Sequence, residues 1–143
     1  MWSSRFGLRW LAPAAVTALL AAGRTAGAFE PRINYQLQCM GCHHGDGKGE
    51  PGRVPSVRET LVPFSSMSDG RDFVMRVPGV AQSPLGDAEL AALLNWMVHN
   101  LSDVPVPEAF VEYSAAEVGR VRHQPLVGVA AARARLLQQI GRP

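Results

Sequence analysis

Both cysteines of the chain and two of its four histidines fall in one run, CMGCHHGDGKG, from Cys39 to Gly49. Cysteines at this spacing serve four chemistries: a disulfide, a zinc site, a redox dithiol, or covalent attachment of haem. A structural zinc site closes with four ligands, commonly a second cysteine pair or a His-x₃₋₅-His. There is no second pair, and His99 and His123 lie too far apart to propose a shared metal. A thioredoxin-type dithiol belongs to a βαβ setting, and no such pattern is visible. A bare disulfide gives no reason for a histidine directly after the second cysteine, or for the glycines that follow it. The spacing Cys39-x-x-Cys42-His43 is the c-type haem attachment pattern. On one helical turn two thiols reach neighbouring vinyl groups of the porphyrin, and the next imidazole comes under the iron. The expected cofactor is therefore one covalently bound haem c per chain, with Cys39, Cys42 and His43 as its attachment residues.

The elements that must position this run are helical. Pro31 suits the first turn of a helix running to Cys42, with Ile33, Leu37 and Met40 spaced to share a face. From His44 to Gly70 the periodicity is lost among Gly45, Gly47, Gly49, Pro51, Gly52, Pro55 and Pro63, so this segment reads as a loop. A loop this long needs an apolar body to fold over, which a porphyrin supplies. Arg71 to Val77 reads as one or two helical turns that Pro78-Gly79 would stop. The strongest helix is DAELAALLNWMVHNL, where Leu90, Leu93, Leu94, Met97 and Leu101 line one face and Asp87 and Glu89 favour its N-terminus. A Pro-rich connector from Asp103 to Pro107 leads to Ser114-Ala-Ala-Glu117, a capping-box spelling, with helices expected near 114–123 and 127–140. No strand, repeat or low-complexity tract stands out. The fold class is all-α: a small helical domain wrapped around its cofactor, with an extra helical C-terminal segment.

Residues 1–28 read as a cleaved secretory signal. Arg5 and Arg9 are its positive region, Leu11 to Ala22 its apolar region, and Ala26-Gly27-Ala28 its cleavage site. About a dozen apolar residues interrupted by Pro13 fall short of the roughly 20 needed to span a bilayer, so no stable membrane span is expected and the location is periplasmic. Removal of the signal leaves 115 of the 143 residues: a haem domain over 29–102, then the connector and extension over 103–143. It also removes three of the 14 basic residues, leaving 11 against 12 acids. A nearly neutral chain has no basic stripe for nucleic acid. The charge is uneven, since Arg120, Arg122, Arg133, Arg135 and Arg142 follow Glu117 with no acid among them. Such a tail suits either a solvated helix face or an acidic partner.

With haem motif, loop, short helix and amphipathic helix in this order, the chain resembles the class I (mono-haem) cytochrome c family over about Ile33 to Leu101. The resemblance implies that Cys39 and Cys42 form the thioethers and that His43 is the proximal iron ligand. It also implies that the Pro55 carbonyl accepts the other imidazole N–H, fixing the ring. By the same likeness Trp96 packs the last core helix against the first, and His44 is a surface residue. The distal ligand departs from the family. Val77 stands where a methionine is usual, and the nearest sulfur is Met75, named here as the distal metal ligand, with Met67, Met97 or no methionine as the alternatives.

The function implied is single-electron transfer between redox partner proteins, with no enzyme activity and no catalytic side chain. A haem protein with an open sixth position, binding a small ligand or reacting with peroxide, is the alternative. In a third reading the C-terminal extension docks the protein into a larger redox complex.

Overall fold

The computed structural model describes residues 29–141; the expected signal over 1–28 and Arg142 lie outside them. Pro31 opens α1 (Pro31–Gln38), as a first-turn proline can, because its missing N–H has no helical acceptor there. The chain leaves helical geometry at Cys39 and resumes it in α2 (Met40–His43), so the expected single helix to Cys42 is two helices around a break. Then follow α3 (Leu61–Ser65), α4 (Ser68–Arg76), α5 (Pro78–Ala81), α6 (Asp87–Leu101), α7 (Ala115–Val121) and α8 (Val129–Gln139). The described residues form helices and no named strand, with one isolated bridge pairing Glu50 and Val54, and the fold is all-α.

Two short helices were not expected. Pro63 read as a loop residue, but it lies in the first turn of α3, where a proline removes no helical hydrogen bond. Pro78 does stop α4, yet it also opens α5 from the same position. α6 has the bounds its periodicity implies, and the Glu89 carboxylate accepts the Gly86 N–H at 3.1 Å at its start.

α1 and α6 pack through Tyr35 and Trp96, with ring centroids 5.5 Å apart and planes at 44°. The Tyr35 hydroxyl donates to the His44 carbonyl at 2.6 Å, tying the end of α2 to α1. Ile33, Leu37 and Met40 do share a face, but it looks to solvent, with Leu37 61% exposed; the buried side of α1 is Asn34 and Tyr35. α4 crosses α3 closely at Gly70, where a Cβ would stand 2.4 Å from the Phe64 carbonyl oxygen, and Phe64 meets Phe73 edge to face at 5.8 Å.

The C-terminal segment folds back into the same core. Tyr113, Val118, Ala132 and Leu136 are buried with the residues of α3, α4 and α6. Asn95 on α6 bonds both the N–H and the carbonyl of Tyr113, at 2.8 and 3.0 Å, and the Tyr113 hydroxyl donates to Ser65 Oγ at 2.7 Å. Arg71 on α4 grips the Glu117 carboxylate with two nitrogens at 2.5 and 2.9 Å and lies 3.9 Å over the Tyr113 ring. Ser114 Oγ caps α7 by accepting the Glu117 N–H at 3.2 Å. Arg122 belongs to this internal network too: it donates to the Leu85 carbonyl at 2.9 Å and pairs with Asp87 at 3.4 Å, so part of the tail's positive charge is not free for a partner.

Candidate cofactor site

Cys39, Cys42 and His43 lie on the wall of one cavity of about 500 Å³. The break at Cys39 and the short turn of α2 put all three on one side of it, with Cys42 exposed and Cys39 and His43 partly buried. Most of the remaining wall is apolar: Val57, Leu61 and Phe64 from the loop and α3, Phe73, Val74 and Val77 from α4 and its end, and Leu90, Leu93, Leu94 and Met97 from α6. A chamber of this size and lining suits a large, flat apolar group held by a few polar anchors.

The glycine-rich loop brings Pro55 to the histidine. Gly49 adopts φ +68, and a Cβ there would stand 2.4 Å from the Val54 carbonyl oxygen and 2.8 Å from that of Pro55, so only glycine admits this approach. The Gly49 N–H bonds the His43 carbonyl at 3.2 Å, and the Glu50 N–H bonds that of Val54 at 2.9 Å, which turns the chain back toward α2. The Pro55 carbonyl stands near enough to His43 to raise its pKa, yet the buried Nδ1 closes no hydrogen bond of ordinary geometry.

Electrostatics favour a neutral, metal-ready imidazole. Burial, the largest influence, holds His43 below its ordinary value, with the Pro55 carbonyl opposing and His44 adding to the fall. A neutral ring keeps a lone pair that can serve a metal. Burial and then the charge of Cys42 push the Cys39 thiol up to about 11. That is opposite to the depressed pKa that a redox-active dithiol uses. Among the described residues no three His, Cys, Asp or Glu side chains gather to hold a metal ion.

The methionines part company. Met75 is 0% exposed and does not line the cavity, whereas Phe73, Val74 and Val77 do. At 100° per residue Met75 falls on the opposite side of α4 from those three, which speaks for packing and against ligation. Met67 lines a separate hollow beside Phe110, and Met97 is the methionine in the cavity wall. His44 is exposed, at φ +59, as the cap of α2.

Sequence reasoning missed the contribution of α8, which sends Val129 and Arg133 into the cavity wall. The one available signal was their i, i+4 spacing, which puts two side chains on one helix face without saying what that face meets.

No protein-family model matches the chain. It is similar to a cytochrome c-552 of Thermus thermophilus, 28% identical over 127 residues, covering 76% of this chain and 86% of that protein. A second cytochrome c-552 of the same species is 29% identical over 107 residues, covering 62% of this chain and 82% of its own length.

Proposed function

We propose that the chain is a c-type cytochrome that carries one covalent haem c and passes single electrons between redox partner proteins. The observation that carries this reading is that Cys39, Cys42 and His43 all line one largely apolar chamber. The similarity to two cytochromes c-552 supports it. Haem, when bound, supplies an iron that cycles between ferric and ferrous. The chain's own residues do the rest. Cys39 and Cys42 hold the porphyrin edge by thioethers, so that the cofactor cannot dissociate. His43 would hold the iron, and its Nδ1, buried without a partner, would take the nearby Pro55 carbonyl as acceptor once the group is bound. The apolar side chains of α4 and α6 exclude water and keep the local dielectric low, which raises the potential by disfavouring the more highly charged oxidised form. No side chain moves a proton. Partners meet the exposed Cys42 end of the cavity through a small transient interface. Haem attachment of this type goes with the secretory signal read over residues 1–28, so the protein works in the periplasm. No helix among the described residues is long and apolar enough to cross a membrane.

One observation favours the second reading, an open sixth position: Met75 is turned from the cavity, and the segment where the family places its methionine contributes Val77, Pro78, Gly79 and Val80 to the wall. Met97 is the sulfur left to complete a His/Met pair. A redox titration of the purified holoprotein tests the function, with a c-type pyridine haemochrome and a reversible one-electron midpoint expected. Carbon monoxide added to the reduced protein separates the two readings: no binding means a filled sixth position, rapid binding an open one. Absence of a haemochrome refutes both.

A further inference from the structure

Two arginines, Arg53 and Arg133, line the cavity, and no acidic side chain does. Their situations differ. Arg53 is exposed and faces Glu50 at 3.4 Å. Arg133 is half-buried, and among the described residues it has no ion pair and no side-chain hydrogen bond. A guanidinium cannot shed its charge at any ordinary pH, and one turned toward apolar surroundings without an anion is costly. Its position is built, not incidental. Gly128, in the left-handed region at φ +68, starts α8, and Arg76 fastens the chain just before it by donating to the carbonyls of Gln124 and Pro125. Ala132 and Leu136 sink into the core against α4, and Val129 and Arg133, one turn apart, are left facing the cavity.

We propose that Arg133 is a cofactor-binding residue of the C-terminal extension, its guanidinium pairing with a carboxylate of the bound porphyrin. The inference rests on the haem reading above and deepens it. Haem carries two carboxylates that need counter-charge once shielded from water, and the planar fork of an arginine matches a carboxylate with two hydrogen bonds. Arg133 then holds that carboxylate ionised and sets the orientation of the haem from α8, in the C-terminal extension. It also adds a positive charge to the cavity wall, which favours the ferrous state.

The test uses the holoprotein and its Arg133→Gln, Arg133→Lys and Arg135→Gln variants, each first checked for a c-type haemochrome. Arg135 is exposed on the same helix and controls for net charge. Midpoint potential is measured across pH 5–9, and the affinity of the ferric form for azide at pH 7. In Arg133→Gln the carboxylate loses its partner and its pKa rises by about 1–3, the usual effect of a neighbouring guanidinium. The potential should fall at neutral pH and climb as pH drops through that new pKa, a tenfold preference for the ferric state reading as about 59 mV. Arg133→Lys should retain most of the wild-type profile and Arg135→Gln all of it. A pH profile in Arg133→Gln identical to wild type overturns the proposal. So does a loss of azide affinity with unaltered potential, which would make the anion an exogenous ligand at the iron. Wild-type protein without covalent haem would instead overturn the underlying functional reading, and this proposal with it.

Discussion

Met75→Ala separates packing from ligation at the residue on which sequence and structure differ most. The side chain is wholly buried in the core cluster, on the side of α4 away from the cavity. Shortening it to alanine removes three heavy atoms from a close-packed interior, where surrounding helices relax only in part, and Met→Ala changes of this kind cost about 2–5 kcal/mol. The upper half of that range applies because three neighbouring elements, α3, α7 and α8, all pack on α4 and cannot move in together. Domains of this size have about 5–15 kcal/mol in total, so the variant should remain folded but lose a large share of its margin. Urea denaturation followed by helical circular dichroism measures the loss, and the visible spectrum of the ferric and ferrous protein is recorded on the same samples. The expected result is a lower midpoint with an unchanged slope, unaltered spectra and no new carbon monoxide binding. A changed ferric spectrum with little loss of stability would refute the reasoning, because it would put the Met75 sulfur on the iron.

Other outcomes follow from the same packing. Glu117→Gln should cost about 2–4 kcal/mol, less than a fully buried pair, since its side chain and that of Arg71 keep 21% and 14% of their exposure. The hydrogen bond from Arg71, before any other influence, holds the Glu117 carboxyl below its ordinary range, so this contribution is present above the unfolded pKa of about 4.3 and is lost as pH falls through the lower folded value. Urea midpoints of wild type and Glu117→Gln should therefore begin to approach one another below about pH 4 and meet only below the folded value. Gly49→Ala meets carbonyl oxygens at 2.4 and 2.8 Å in a left-handed conformation, and should cost more than about 2 kcal/mol and lower haem incorporation by shifting Pro55. Deleting everything after Leu101 removes the buried Tyr113, Val118 and Leu136, each worth about 1.5–3 kcal/mol, and should abolish cooperative thermal unfolding. A docking arm without a structural role would leave the transition intact.

The legible parts of the fold were those with long periodic signals. α6 runs from Asp87 to Leu101 as its leucines and Met97 dictate, and Trp96 meets the first helix as expected. The short helices α3 and α5 were not legible, because Pro63 and Pro78 look like breakers unless the helix is known to begin just before them. Periodicity placed Ile33, Leu37 and Met40 on one face but carries no sign for inward or outward, and the packing of Tyr35 against α6 turned that face to water. At the cavity, spacing alone put the proposed attachment residues Cys39, Cys42 and His43 together, since a local motif needs only local structure, and all three line the chamber. The orientation of Met75 depends on the rotation of α4, and the presence of Arg133 on how α8 returns across α4; both are tertiary facts without a local sequence mark.

The central claim is that Cys39 and Cys42 bind a porphyrin covalently. Its most direct test is the mass of the proteolytic peptide containing Cys39 to His43, taken from denatured, acid-acetone-washed protein made in cells with haem-attachment machinery. This peptide should carry the full mass of one haem, and Cys42→Ala should leave at most a single, weaker linkage. A peptide at its unmodified mass, with both thiols free to alkylate, would contradict it.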